Sequence, residues 1–329
     1  MDDGLFGSDE DLPVGCEERD EERDANNGVL SFHNGTEEAM FIYINNRMKT
    51  VNYSGDSTHD HVASILSLCD EFCMRRHWMM HVGPEKANIL KDAFKMLPRS
   101  SSVYVLELGS YCGYSSALIA DMLFRRDKAL VKDTERVNRS HSNGSSSISS
   151  SSSSRKRTKS HLVSIEPDPK CVRWTNRMLS SSFCNLSSYS TVLETAVTER
   201  EKNDEVNPDF LAQLDLLQRN WNEDENENEG GGRLKFDLLF IDHDKSKYLV
   251  DLIVLQESNL LNENCVVVAD NVLSFGQPLT EYLDYVRGNK AFASSDLFIS
   301  ELEYSKQQAL QDARGKQYFV DGVEVSILV

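Results

Sequence analysis

Two short segments carry most of the side chains that could do chemistry. The first is FIDHDKSKY, in which Asp242 and His243 follow an apolar run and Lys245 stands three residues after Asp242. The second is VVVADNV, in which Asp270 and Asn271 follow another apolar run. Two carboxylates and an amide oxygen form a hard, all-oxygen donor set that suits Mg²⁺. Asp242, Asp270 and Asn271 are therefore candidate metal ligands, and His243 has no obvious companion that would indicate zinc.

A third segment, ELGSYCG, lies between an apolar run and a helical pattern. Gly109 and Gly113 allow the backbone to turn sharply and to approach a ligand closely. Their spacing differs from the G-x-G-x-x-G motif of dinucleotide dehydrogenases, in which a diphosphate sits on the helix N-terminus. The negative charge of Glu107 would oppose a diphosphate and suit a cationic sulfonium–amine ligand. The segment favours S-adenosylmethionine, and NAD stays open as the alternative.

Glu166, in the segment SIEPDP, is placed to hold ribose hydroxyls at the end of the next predicted strand. The interval from Gly109 to Glu166 is 57 residues, whereas about 20 are expected in such a unit. Removing a low-complexity stretch of 34 residues, 127–160, leaves 23. The spacing then fits, which supports the interpretation of 127–160 as an insertion.

The elements that would position these residues alternate along the chain. Continuous apolar runs predict buried parallel strands over residues 103–108, 162–165, 191–193, 236–241 and 266–269. Helical periodicity predicts helices from about residue 37, over 62–72, over 85–96 and over 115–124. This alternation predicts an α/β fold, a doubly wound Rossmann-like sheet flanked by helices. Ligands bind beyond the carboxyl ends of such strands, so the three segments should meet in one crevice.

The sequence predicts a single domain with an N-terminal tail and two insertions. Residues 1–35 form an acidic tail that we expect to be disordered, and residues 36–329 form the single domain. Two insertions interrupt it, at about 127–160 with a serine run and a basic patch, and at about 200–233 with an acidic run. Neither composition can bury a core, so we predict disordered surface loops at both.

Charge and cysteine content restrict the partners and the compartment. The chain has 53 acidic against 35 basic residues, a net charge of −18, which disfavours nucleic acid and anionic membranes as partners. Its seven cysteines are irregularly spaced, and neither a signal peptide nor an apolar span is evident. We therefore expect reduced thiols in the cytoplasm. The protein partners of the tail and of the insertions are not indicated.

Taken together, the chemical segments resemble the catechol O-methyltransferase family of class I, S-adenosylmethionine-dependent methyltransferases. The order of the segments and their positions at strand ends match those of the family, as do the residues themselves. The matching segments are WMMHVGPEK (78–86), VLELGSYCGYSS (105–116), SIEPDP (164–169), FIDHDKSKY (240–248), VVVADNV (266–272), DYVRG (284–288), ELEY (301–304) and VDGVE (320–324). The resemblance implies a single Rossmann-like domain, one magnesium ion and a small-molecule catechol substrate.

The resemblance also implies a role for each matching residue. Asp242, Asp270 and Asn271 correspond to the metal ligands, Lys245 to the general base, and Glu303 to the acid that holds the second hydroxyl. The predicted cofactor-binding residues are Val82, Glu107, Gly109, Tyr111, Gly113, Ser115, Glu166, Asp242 and His243. The predicted substrate-binding residues are Trp78, Lys245, Asn271, Phe275 and Glu303.

Several positions depart from the family pattern. Asp244 replaces an aromatic residue near the cofactor, Phe275 replaces a proline of the substrate pocket, and His81 replaces an asparagine beside the donor. Residues 197–198 are Val-Thr, where the family has Ser-Gln near the adenine. The reaction is therefore better specified by the sequence than the substrate is.

The resulting hypothesis is magnesium-dependent methyl transfer to a catechol hydroxyl. The metal would hold both vicinal oxygens and activate one of them, and Lys245 would remove its proton before in-line attack on the methyl group. Two alternatives remain. One is a related enzyme acting on another vicinal diol or a hydroxylated phenylpropanoid, and the other is a catalytically weak scaffold that binds S-adenosylmethionine.

Overall fold

The computed structural model describes residues 35–50, 60–76, 79–99, 101–141, 159–199, 205–225, 234–273, 278–301 and 320–329. The predicted tail lies outside these ranges except for residue 35. The candidate substrate residues Trp78, Phe275 and Glu303 also lie outside them. The roles predicted for these three residues therefore remain predictions from the sequence.

A seven-stranded mixed sheet forms the centre of the described structure. Its strands are β1 (Tyr104–Leu108), β2 (His161–Ile165), β3 (Ser190–Leu193), β4 (Phe236–Ile241), β5 (Leu261–Ala269), β6 (Phe292–Glu301) and β7 (Val320–Leu328). The strand order is β3-β2-β1-β4-β5-β7-β6. Strands β1 to β5 are parallel, and β7 runs antiparallel to β5 and β6. The five predicted strands and the doubly wound fold are confirmed, whereas β6 and β7 were not predicted.

Eight helices accompany the sheet in the described part of the chain. They are α1 (Thr36–Thr50), α2 (Asp60–Arg75), α3 (Gly83–Phe94), α4 (Tyr114–His141), α5 (Pro169–Ser180), α6 (Pro208–Glu225), α7 (Tyr248–Glu257) and α8 (Thr280–Gly288). Local chemistry sets the start of α5, where the Asp168 carboxylate accepts from Lys170 N at 2.7 Å and Pro169 occupies the first turn. The four predicted helices correspond to α1–α4. None of the described helices is both long and apolar enough to cross a membrane.

The predicted insertions contain more structure than expected. Helix α4 continues through residues 127–141, and α6 occupies residues 208–225, so the loop prediction was wrong for both ranges. The first range has neither glycine nor proline and is rich in strong helix formers, so the helix propagates beyond its packed part. In α6, Phe210 and Leu214 lie one turn apart and are buried. The acidic run that follows the helix obscures this helical spacing in the sequence.

The sheet buries apolar side chains on both faces. Along β1, Val105 packs into one hydrophobic cluster, while Leu106 and Leu108 pack into the cluster on the opposite face. Alternate side chains of a strand point to opposite faces, so helices must cover both sides. Glu107 interrupts this apolar strand and is nevertheless completely buried.

Hydrogen bonds extend the parallel ladder one residue beyond the strand ends. Asp242 N donates to Leu108 O, and Asp270 N donates to Ile241 O, each at 2.9 Å. Gly109 N donates in the same way to Ile165 O at 2.9 Å. The glycine segment and the two acidic segments therefore share one edge of the sheet.

Candidate active site

The carboxylates of Asp242 and Asp270 follow neighbouring strands and influence each other electrostatically. Burial raises the pKa of Asp270 to about 6, the charge of Lys86 opposes this shift, and the charge of Asp242 adds to it. Asp270 is 2% exposed, so water cannot screen the two negative charges effectively. The structure thus brings together two of the three predicted metal ligands.

Asn271, the third predicted ligand, has a left-handed backbone with φ of 56°, a conformation that asparagine tolerates better than most residues. Its backbone N donates to Asp270 Oδ1 at 2.7 Å. Its side-chain Nδ2 donates to Asp321 Oδ2 at 2.5 Å. This second bond turns the amide nitrogen toward Asp321 and the amide oxygen away from it.

A buried lysine, Lys86 of α3, joins this cluster. Its Nζ lies 2.6 Å from Asp270 Oδ1 and 2.7 Å from Asp321 Oδ2. Burial alone would lower the pKa of Lys86, but the charges of Asp270 and Asp321 raise it above its usual value. Sequence reasoning gave no role to Lys86 or Asp321. Both stand inside family-like segments, which is the signal that could have drawn attention to them.

The donor set fits a hard divalent cation. Asp242, Asp270 and Asp321 carry three negative charges, and Lys86 and Lys245 carry two positive charges, which leaves a surplus of one negative charge. Among the described residues, no group of three or more His, Cys, Asp or Glu side chains could hold a metal. A metal here would therefore need the amide oxygen as well as the two carboxylates, and magnesium accepts such a set together with water.

Lys245, the predicted general base, lies on a short 3₁₀ turn of residues 245–247. The Asp244 carboxylate begins this turn by accepting from Ser246 N at 3.0 Å and from Ser246 Oγ at 2.8 Å. Lys245 Nζ donates to Asp242 Oδ1 at 3.1 Å and to the phenol oxygen of Tyr248 at 2.7 Å. The turn therefore keeps the amine beside the acidic pair.

Both glycines of the loop are required by its packing. Gly109 has φ of +91°, and a Cβ there would collide with the carbonyl oxygen of Asp242. Gly113 has φ of +83°, and a Cβ there would lie 3.1 Å from Thr175 Cα and from Met178 Cβ. The sequence predicted that the glycines make room for a ligand, whereas the described contacts are with the end of β4 and with α5.

Glu166 fastens the end of β2 to the glycine loop. Its Oε2 accepts from Ser110 N at 3.2 Å and from Tyr111 N at 3.1 Å, and its Oε1 accepts from Asp168 N at 3.0 Å. Burial raises its pKa, and these backbone donors oppose the shift. The carboxylate is thus held in place at the predicted ribose position.

Glu107 is the most unusual acid of the site because it lies within a strand and is fully buried. Its Oε2 accepts from Ser116 Oγ at 2.5 Å and from Ser164 Oγ, while Oε1 is buried without a hydrogen-bond partner among the described residues. Burial raises its pKa to about 7, the hydroxyls of Ser115, Ser116 and Ser164 oppose this, and Asp242 adds to it. A positively charged ligand group nearby would stabilise this carboxylate.

His243 is hydrogen-bonded to a chain of buried polar side chains. Its Nε2 lies 2.7 Å from Asp251 Oδ2, and Asp251 Oδ1 accepts from Thr198 Oγ1 at 2.8 Å. His243 Nδ1 is buried and has no hydrogen-bond partner among the described residues. Sequence reasoning missed Asp251, although a single acid within the apolar run of α7 (YLVDLIVLQE) was a usable signal.

The remaining predicted cofactor residues connect the loop to the N-terminal helices. Tyr111 donates from its phenol to Glu37 of α1 at 3.3 Å. His81, next to the buried Val82, pairs through Nε2 with Asp70 of α2 at 3.0 Å. Burial would lower the pKa of His81, but its hydrogen bond to Asp70 contributes to raising it to about 10. Helices α1 and α2 are thereby anchored beside the candidate donor site.

Curated proteins to which the chain is similar include catechol O-methyltransferases from two vertebrates. The chain is 30% identical to bovine catechol O-methyltransferase over 243 residues, which cover 74% of this chain and 66% of that protein. It is 27% identical to zebrafish catechol O-methyltransferase B over 266 residues, which cover 81% of this chain and 72% of that protein. The chain thus spans just under two thirds of the bovine relative. No family model matches the chain.

Solved structures of similar proteins include an O-methyltransferase from Bacillus cereus in complex with SAH. That chain is 15% identical, has a TM-score of 0.47 and is covered completely by 88% of this chain. At this TM-score the likeness adds nothing to the strand order described above.

The curated relatives to which the chain is similar are O-methyltransferases. This similarity confirms the resemblance to catechol O-methyltransferases that the motifs indicated.

Proposed function

We propose that the protein transfers the methyl group of S-adenosylmethionine to a hydroxyl of a catechol-type substrate and that it requires Mg²⁺. The observation that supports this most strongly is the position of Lys245 Nζ, 3.1 Å from Asp242 Oδ1 and beside the buried Asp270. Asp242, Asp270 and Asn271 would hold the Mg²⁺, which would supply Lewis-acid activation of the hydroxyl that is methylated.

Proton removal is the task that the proposal gives to Lys245. The side chain of Lys245 is 32% exposed, so a substrate hydroxyl can approach its amine. The hydroxyl proton moves to Lys245, a C–O bond forms, the C–S bond of the donor breaks, and neutral S-adenosylhomocysteine leaves. Orientation of the reacting groups should supply much of the rate, because methyl transfer needs a close, collinear approach.

The donor would lie against the glycine loop. Glu107 offers a buried carboxylate oxygen without a partner among the described residues, which suits the ammonium group of a methionine. Glu166 would hold the ribose, and Nδ1 of His243, which has no hydrogen-bond partner within the described ranges, would offer a further polar contact. These roles are proposals, and each follows from a buried polar atom placed at the end of a strand.

Other acceptors remain within the proposal. Phe275 stands where the family has a proline, and Thr198 bonds to Asp251 where the family has a glutamine. Both changes favour a substrate or donor pocket of altered shape, so another vicinal diol or a hydroxylated phenylpropanoid is the second candidate substrate. A scaffold that binds the donor without turnover is the third possibility.

One assay separates these possibilities. Purified protein is incubated with methyl-labelled S-adenosylmethionine, Mg²⁺ and a panel of catechols, other diols and phenylpropanoids. We expect labelled product with catechols, and none from the matched variant Asp270→Ala. Donor binding without product from any acceptor would contradict the enzyme proposal and support the scaffold. The predicted cytoplasmic location is tested separately by fractionating cells that express the full chain.

A further inference from the structure

Tyr248 lies between two parts of the candidate site and is fully buried. Its phenol oxygen is 2.7 Å from Lys245 Nζ and 2.9 Å from the backbone oxygen of Asp270. The predicted base and the strand end that carries a predicted metal ligand are therefore joined through one oxygen atom. Neither composition nor motif spacing gave Tyr248 a role.

The chemistry of the three groups fixes the direction of both hydrogen bonds. A carbonyl oxygen can only accept, so the single phenol proton of Tyr248 must be donated to Asp270 O. Lys245 must then donate one N–H to Tyr248.

The remaining positions on the Lys245 nitrogen follow from tetrahedral geometry. One position is the bond to Cε, a second is the N–H donated to Tyr248, and a third is the N–H donated to Asp242 Oδ1 at 3.1 Å. One position is left. In the neutral amine this position is the lone pair, which is where a substrate proton would be received.

We infer that Tyr248 is a positioning residue that fixes the direction of the Lys245 lone pair, acting together with Asp242. This inference rests on the proposed function, because it assigns Tyr248 a task in the proton transfer proposed for Lys245. The ring is itself held rigidly, stacked on His243 with centroids 5.3 Å apart and packed edge-on against Tyr282 at 5.8 Å. A rigid ring gives the phenol oxygen a fixed place.

Tyr282 provides a matched control. It is also buried, at 2% exposure, but its phenol oxygen has no hydrogen-bond partner among the described residues. Tyr248→Phe and Tyr282→Phe each remove one buried oxygen and keep an aromatic ring in place. Only the first change removes a hydrogen bond to Lys245.

The kinetic test compares these two variants, each checked for an unchanged melting profile. Tyr248→Phe should lower kcat by about 10- to 100-fold, the scale of a misplaced reacting group, with little change in KM or donor affinity. Tyr282→Phe should leave kcat near the wild-type value. In a Lys245→Met background, Tyr248→Phe should have no further effect. An unchanged kcat in Tyr248→Phe, or an equal loss in the Lys245→Met background, would overturn the inference.

A second measurement does not depend on methyl transfer and separates this inference from the proposed function. Folded protein is treated with limiting acetic anhydride, and acetylation of Lys245 is compared with that of exposed Lys290 by peptide mass spectrometry. The ratio should rise severalfold in Tyr248→Phe and stay constant in Tyr282→Phe. A wild-type ratio in Tyr248→Phe would refute the positioning role even if no acceptor were ever found. Absence of methyl transfer with the expected ratios would count against the proposed function alone.

Discussion

Lys86 Nζ lies 2.6 Å from Asp270 Oδ1, and this contact joins helix α3 to the end of β5 inside the candidate metal site. The same ammonium group contacts Asp321 at the start of β7, 2.7 Å away. Because Asp321 also holds the amide of Asn271, one ion cluster orients two of the three predicted metal ligands. Mutation of residues that orient metal ligands in this way typically costs about 10- to 100-fold in metal affinity or activity.

The contacts of Asp321 with Lys86 and Asn271 lead to a prediction about metal affinity. Asp321→Asn removes the acceptor charge that fixes Lys86 and the Asn271 amide, so Mn²⁺ binding should weaken by about 10- to 100-fold. Electron paramagnetic resonance titration of Mn²⁺ measures this without any substrate. Asp296→Asn, on the exposed part of β6, is the control and should bind Mn²⁺ like the wild type. Equal affinities in both variants would remove Asp321 from the metal site.

Glu107 should make stability depend on pH. Its folded pKa is about 7, against 4.5 for an ordinary glutamate, so between these values the folded state binds more protons than the unfolded state. Stability therefore falls as pH rises through this window, and the charged carboxylate costs about 3 kcal/mol above it. Glu107→Gln removes that cost.

Thermal melting at pH 5 and pH 8 tests this prediction. The melting temperature of Glu107→Gln minus that of the wild type should be larger at pH 8 than at pH 5. Glu263→Gln, which changes an exposed glutamate, should show no such difference between the two pH values. If the Glu107→Gln difference were the same at both, the buried carboxylate would have an ordinary pKa.

Gly109 should tolerate no side chain. In Gly109→Ala the new Cβ collides with the Asp242 carbonyl, and the φ of +91° is itself unfavourable for alanine. We expect a loss of at least about 1–3 kcal/mol in the free energy of unfolding, measured by urea denaturation. Gly288→Ala, where a Cβ meets nothing within 4 Å, should change stability by less than about 0.5 kcal/mol. A neutral Gly109→Ala would show that the loop is not packed against β4.

The sequence predicted those parts of the fold whose signal is local. Strands β1 and β4 are mostly apolar because both faces of the sheet are covered, and their ends carry the polar residues of the site. Strand β6 gave no such signal because polar residues interrupt it and only Leu297, Phe298 and Ile299 form an apolar run. Helix α6 was not predicted because the acidic residues that follow its apolar positions resemble a low-complexity loop.

The candidate site shows the same division between local and long-range information. Asp242, Asp270 and Asn271 were predicted from their positions at strand ends, and the role of Lys245 was predicted from the family resemblance. The contact of Lys86 with Asp321 joins residues 235 positions apart, and only the fold brings them together. Tyr248 could be read from the sequence as a buried aromatic residue, but its two hydrogen bonds depend on where β5 ends.

Metal dependence of methyl transfer tests the central claim most directly. Protein freed of metal is assayed with labelled S-adenosylmethionine and a catechol in excess EDTA, and then with Mg²⁺ restored. The oxygen donors of Asp242, Asp270 and Asn271 predict no transfer in EDTA, recovery with Mg²⁺, and no recovery in Asp242→Ala. Full activity in excess EDTA would contradict the metal site at the ends of β4 and β5.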